Sequence, residues 1–145
     1  MKRYILSLLC LLLLVTGAQA QVLQLITEEE ARLPPAQEEK EEVTRAITRG
    51  PGINLASAET VERDAFPLRI TFEPHGGVTI DPQSVRILYL KKTPVDLTER
   101  LKGQITPEGV TVPAATAPPG EHPLQVTVRD SNGRQSVKKF TLVVR

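Results

Sequence analysis

The chain reads as an all-β sandwich, two sheets of short strands packed face to face. Three observations predict this. Leu68, Ile70 and Phe72 alternate with Arg69, Thr71 and Glu73, and Leu124, Val126 and Val128 alternate with Gln125, Thr127 and Arg129. Apolar residues at every second position give a strand one face for a core and one for water. Pro67 and Pro123 stand just ahead of these runs, where a missing N–H is tolerated. About seven such runs, separated by turn residues, occupy roughly 95 residues, the span of a β-sandwich.

Residues 1–20 read as a secretory signal rather than as part of the fold. Lys2 and Arg3 supply a positive start, Ile5 to Val15 are apolar but for Ser7, and Ala18-Gln19-Ala20 offers small residues where a signal peptidase reads them. Cleavage is expected after Ala20. The apolar run is too short to cross a hydrocarbon core of about 30 Å. A lipid-modified cysteine would end the apolar run, whereas Leu11 to Val15 continue past Cys10. Cys10 is the one cysteine of the 145 residues, so the mature chain would have none. A disulfide framework, a thiol nucleophile and a cysteine-ligated metal are thereby excluded.

Cleavage would leave one domain and a tail in about 125 residues. Losing Lys2 and Arg3 takes the formal net charge from +1 to about −1, with no basic bias toward nucleic acid or anionic lipid. Residues 21–50 form a charged leader, with Glu28-Glu29-Glu30 and Glu38-Glu39-Lys40-Glu41-Glu42 separated by Pro34-Pro35. Thr27 with Glu30 fits a capping box for a short helix. A second helix is expected over about residues 36–48, with Val43, Ala46 and Ile47 as a thin apolar stripe. Gly50-Pro51-Gly52 stops it. The expectation is a partly helical or disordered leader ahead of a domain over residues 51–145.

Within that domain, residues 53–58, 66–73 and 85–90 are the first three strands, with a glycine turn at His75-Gly76-Gly77. Asp96 and Glu99 suit the start of a helical turn near residues 96–102, and Gly103 suits its end. Leu97 and Leu101, four apart, share one face of it. Ile105 and residues 110–112 are short strand pieces, and Pro118-Pro119-Gly120 is a turn. Residues 124–129 and 137–144 form a hairpin around Asp130-Ser131-Asn132-Gly133, with Asn132 and Gly133 expected to take positive φ.

The run Gly77-Val78-Thr79-Ile80-Asp81-Pro82-Gln83-Ser84-Val85-Arg86-Ile87 resembles a motif of bacterial immunoglobulin-like domains of envelope and surface proteins. Val95-Asp96-Leu97-Thr98 resembles their next step. Pro119-Gly120-Glu121-His122, followed by Val126 to Arg134, resembles their ending. The resemblance spans residues 66–144. It implies an immunoglobulin-like sandwich of the fibronectin III or bacterial type, in an exported protein of the periplasm or cell exterior. The chain departs from the pattern at Lys91-Lys92-Thr93-Pro94, where the family has an Asn-Gly turn.

Leu68, Ile70, Phe72, Val85, Ile87, Tyr89, Leu124, Val126, Val128, Phe140, Leu142 and Val144 are the expected inward set, each contributing about 1.5–3 kcal/mol when buried. Chemistry is sparse. His75 and His122 lack the spacing of a zinc site. Asp130 and Asn132 have oxygens for calcium, but are also what a turn uses. Ser57, Ser84, Ser131 and Ser136 have no activating motif around them. No catalysis, metal or cofactor is expected. What remains is a surface. Residues 85–90 are apolar on both faces, so Arg86, Leu88 and Leu90 face outward if Val85, Ile87 and Tyr89 face inward. They form a candidate protein-interaction surface, unless Leu97 and Leu101 or the leader cover them. The expected partner is another envelope protein, with no nucleic acid and no membrane insertion after signal cleavage. The alternative is a small module binding glycan or peptidoglycan, for which Tyr89 and three phenylalanines are few aromatics.

Overall fold

The computed structural model describes residues 21–37, 50–62 and 64–145. The expected signal segment lies outside the described residues, as does the expected second leader helix apart from Ala36 and Gln37. Ten strands occur among the described residues. They are β1 (Leu23–Gln24), β2 (Gly52–Leu55), β3 (Thr60–Val61), β4 (Phe66–Glu73), β5 (Ile80–Tyr89), β6 (Val95–Asp96), β7 (Ile105–Thr106), β8 (Gly109–Thr116), β9 (Gly120–Asp130) and β10 (Gln135–Val144). Two four-residue α-helices, α1 (Glu28–Ala31) and α2 (Thr98–Leu101), also occur among the described residues, α2 running on into a 3-10 turn at Lys102–Gln104.

The first sheet has the order β1-β8-β4-β2, with β7 also on β8; the second has the order β3-β10-β9-β5-β6. The long pairings are antiparallel, while β1 on β8 and β3 on β10 are parallel. The fold is a mostly β sandwich of two five-stranded sheets. One continuous apolar core lies between the sheets, and it holds all of the expected inward set except Phe140. Phe140 is half-buried. Its strand β10 packs across from β2, which is four residues long. Ser136 and Lys138 share the inward face with Phe140 and are not buried either.

Prolines mark the irregularities. Phe66 pairs with Ala115 and Leu68 with Val112, so Pro67 opposes both Pro113 and Ala114. A bulge of two residues against one is the place for residues that have no N–H to give. On β5, Asp81 pairs with Arg129 and Arg86 with Thr127, which leaves residues 82–85 against Val128 alone. Ser84 stitches this bulge: its Oγ donates to Asp81 O at 2.6 Å and accepts from Arg129 N at 2.8 Å. The bulge resets the face of the strand. Ile80 and Val85 are both buried, although an odd separation puts residues of a regular strand on opposite faces. The strand therefore begins at Ile80, ahead of the expected residue 85.

Two turns differ in detail from expectation. In the β9–β10 hairpin only Gly133 has positive φ, at 76°, and Asn132 does not. Gly133 N donates to Asp130 O at 2.9 Å, so the four-residue loop needs one left-handed residue rather than two. Gly109 opens β8 at φ 151° beside β4. A Cβ there would overlap the Ile70 carbonyl oxygen and lie 3.0 Å from its carbon.

The described leader residues are not separate from the sandwich. β1 pairs with β8, Leu25 N donates to Thr116 O at 2.9 Å, and Leu25 and Ile26 are fully buried in the core. The Thr27 capping box is present: Thr27 Oγ1 accepts from Glu30 N at 3.2 Å, and Glu30 Oε2 accepts from Thr27 N at 2.9 Å. Beyond α1 the chain reaches the other sheet, where Pro34 O accepts from Lys92 N and Pro35 bridges Lys91. Residues 21–35 thus form a strap from one sheet to the other. Glu30 also takes a two-pronged ion pair from Arg100 of α2, whose Nη1 donates in addition to Leu25 O at 3.0 Å.

The Arg100 hydrogen bonds hold the Glu30 carboxyl at about 2, against 4.5 ordinarily, despite its partial burial. A depressed carboxylate stabilises the fold above its unfolded value, and that contribution fades as the pH falls from 4.5 toward 2. Glu30→Gln should therefore cost on the order of 2 kcal/mol at pH 7 and progressively less in acid, read by equilibrium unfolding across pH. Ile26→Ala should cost about 2–5 kcal/mol, as a core truncation does and a leader substitution does not.

Candidate interaction face

Beyond its bulge β5 is regular, and burial alternates along it. Val85, Ile87 and Tyr89 are buried, Arg86 is exposed, and Leu88 and Leu90 are half-buried. Residues opposite one another in a ladder share a face. Arg86 lies in a row with Thr127 and Val137, and Leu88 in a row with Gln125 and Lys139. Leu90 N donates to Pro123 O, which extends the ladder by one residue. Val137 is 51 % exposed. The outer face of the second sheet is thus a mixed apolar and polar surface crossing three strands.

Leu97 and Leu101 do not roof this face. Both are fully buried in the core, at 0 % solvent exposure. The reason lies at the end of the β5–β6 ladder. Leu97 N donates to Ile87 O at 2.8 Å, and Thr98 Oγ1 accepts from Ile87 N at 3.0 Å. The chain leaves the sheet while still satisfying its edge, and the turn that follows swings inward between the sheets. The helix starts one residue later than Asp96 and Glu99 suggested: its N-cap is Leu97, which makes no side-chain cap, and Asp96 Oδ1 accepts instead from the first helical N–H, Thr98 N, at 2.8 Å. Arg86 is held close to the bulge, where Nη1 donates to Val85 O at 2.9 Å and Gln83 O at 3.2 Å. Beside it a cleft of about 490 Å³ is lined by Gln83, Arg86, Glu99 and Lys102 among others.

His122, considered from sequence as a metal ligand, has both ring nitrogens engaged inside the protein. Nε2 is 2.7 Å from Pro118 O and Nδ1 is 3.0 Å from the Tyr89 hydroxyl. A carbonyl only accepts, so Nε2 carries the proton and Nδ1 accepts from Tyr89. Lys91 Nζ lies 5.0 Å from the Tyr89 ring centroid and donates to Ala31 O of the strap. Burial holds the His122 pKa below its ordinary value of 6.5; the Pro118 carbonyl opposes this, and the charge of Lys91 adds to it.

The Asp130 loop uses its oxygens on itself. Oδ1 accepts from Asn132 N and Arg134 N, both at 2.9 Å, and Oδ2 accepts from Arg134 Nε at 2.7 Å. Burial alone would raise the Asp130 pKa, but these hydrogen bonds and the Arg134 charge outweigh it and lower the value. Among the described residues no group of three or more His, Cys, Asp or Glu is placed to hold a metal ion, and no helix is long and apolar enough to cross a membrane.

The His122 geometry has a pH signature. The folded protein keeps this imidazole neutral to lower pH than the unfolded chain does, which takes up a proton as the pH falls below 6.5. Stability should be fully present above that pH and decline below it. Melting temperature measured from pH 7.5 to 5 should fall in the parent, and His122→Gln should flatten that part of the curve whatever it does to the plateau.

No protein-family model and no curated protein matches the chain. Among solved structures, one of murine CRIg is similar at 14 % identity and a TM-score of 0.41, over 65 % of this chain and 97 % of that one.

Proposed function

We propose that this chain is an exported, non-catalytic module of the bacterial cell envelope that binds another protein through the outer face of its second sheet, at Arg86, Leu88 and Leu90. One observation carries the reading. Leu88 and Leu90 stand half-buried on an outward face, and the two leucines best placed in sequence to cover them are committed to the core. Apolar side chains grouped on an otherwise polar surface mark interaction sites. The signal-like residues 1–20 and the resemblance over residues 66–144 support the envelope setting.

The cleft beside Arg86 favours a second reading, a module for a small polar ligand such as a peptidoglycan fragment. It has less support. Phe66, Phe72 and Tyr89 are buried and Phe140 is half-buried, so the mature chain offers no exposed aromatic platform for a sugar ring to stack on.

The test is a crosslinked pull-down from the native envelope with parent and Leu88→Ser. The variant should lose its specific partners while its melting temperature stays within a few degrees of the parent. Ile87→Ser, one residue away on the inner face, should instead behave as a core lesion, burying a hydroxyl at a cost of about 1–3 kcal/mol. Unchanged partners for Leu88→Ser, or a loss of stability equal to that of Ile87→Ser, would refute the interaction face. Binding of muropeptides by the parent, abolished by Arg86→Ala, would favour the second reading.

A further inference from the structure

We propose that Arg86 receives a carboxylate side chain of the partner protein, an Asp or Glu set within an apolar surface, at the cleft where β6 leaves the edge of β5. This rests on the interaction-face reading and adds the partner's chemistry to it. Ile87 still has partners at that edge: its O accepts from Leu97 N, and its N donates to Thr98 Oγ1. Backbone groups two residues apart point to the same edge of a strand. Val85 O therefore points the same way, but β6 pairs only with Leu88 and Tyr89. Arg86 caps that carbonyl itself. Its Nη1 donates to Val85 O at 2.9 Å and to Gln83 O at 3.2 Å, which uses both hydrogens of that nitrogen. Nε and Nη2 remain. Among the described residues neither has an acceptor, and Arg86 has no ion pair. The edge left over is a side-on fork, the geometry that takes both oxygens of one carboxylate.

The neighbouring acids of this chain do not fill the fork. Asp81 Oδ1 accepts from Gln83 N, and Asp96 Oδ1 from Thr98 N. Glu99, which lines the same cleft, pairs with Lys102 at 3.5 Å. An exposed ion pair is ordinarily worth little, in part because two long side chains must be held still. Two carbonyls already hold this guanidinium, so an incoming carboxylate bears less of that cost. The surroundings indicate what carries the carboxylate. Arg86, Leu88 and Leu90 share one face at intervals of about 7 Å, and that face runs across to Val137, 51 % exposed. A small free acid would leave the leucines and Val137 uncovered, and a chain end is narrower than three strands. The acid is therefore a side chain within a contacting surface.

Two measurements test this. In the purified chain, sodium acetate should move the Arg86 Nε–H resonance saturably, and sodium chloride at the same ionic strength should not. Arg69, exposed on β4, should show no saturable response to either salt. On the native envelope, the chain carrying Glu99→Gln is treated with a carbodiimide, which condenses a carboxylate with an amine to an amide with loss of water. Lys102 lines the cleft with Arg86, so its amine should be joined to an internal Asp or Glu of a partner, read by mass spectrometry. Glu99→Gln removes the acid that would compete. Adding Arg86→Lys, which keeps the charge and loses the fork, should cut the yield of that crosslink ~tenfold, the worth of one charge-assisted hydrogen bond. Its melting temperature should stay within a few degrees of the parent. No saturable response at Arg86, no crosslink at Lys102, or an undiminished crosslink with Arg86→Lys would overturn the inference, and the interaction face would still stand if Leu88→Ser lost its partners. A crosslink to a chain terminus, or to a second copy of this chain, would overturn the choice of partner. Unchanged partners for Leu88→Ser, with acetate still bound at Arg86, would overturn the interaction face and the inference together and leave a site for small free acids.

Discussion

The fold depends on a single carboxylate that serves two masters. Glu30 satisfies the start of its own helix through Thr27 and takes the guanidinium of Arg100 from α2. Arg100 in turn holds the Leu25 carbonyl. A segment from the first sheet is thereby joined to a turn that hangs from the second. A sandwich needs its flanks closed, and with no cysteine after Cys10 this one cannot use a disulfide to do it. Two buried side chains, Leu25 and Ile26, and one ion pair take that role. Because Glu30 is largely shielded from solvent, its pairing is worth more than that of an exposed pair such as Arg32 with Glu28.

The orientation of the candidate face depends on the β5 bulge. Side chains alternate with a period of two, so slipping a strand by one residue exchanges its faces. Without the extra residues at 82–84, the register that buries Ile80 would turn Arg86, Leu88 and Leu90 toward the core. Ser84 holds the bulge to its own strand through Asp81 and to β9 through Arg129, and Pro82 has no N–H to leave unpaired there.

Much of this was legible in sequence where the signal was local. The alternation in β4 and β9 marks the core strands, Thr27 and Glu30 mark a helix start, and the parity of residues 85–90 marks which face looks outward. Long-range facts were not legible. Leu25 and Ile26 read as a short apolar stretch in a charged leader, because the strand they accompany lies some ninety positions away, at Ala115 and Thr116. One signal was present: Lys91 and Lys92 break the motif that residues 77–87 follow, and it is there that Pro34 and Pro35 attach. Helical spacing showed that Leu97 and Leu101 share a face, but not that the face turns inward, which the Ile87–Thr98 hydrogen bond decides. His122 carries no mark of burial at all. Its partners come from the turn before it and from another strand.

Gly109 carries a consequence for variation over time. Its φ belongs to glycine, and the space a methyl would need is filled by the backbone of Ile70 and Thr71 rather than by a side chain that could move aside. Neither neighbour can be substituted to make room, since backbone atoms are common to every residue type. No compensating change elsewhere relieves the site short of shifting the β4–β8 register. A lineage that retains this sandwich and this register is expected to keep glycine at position 109.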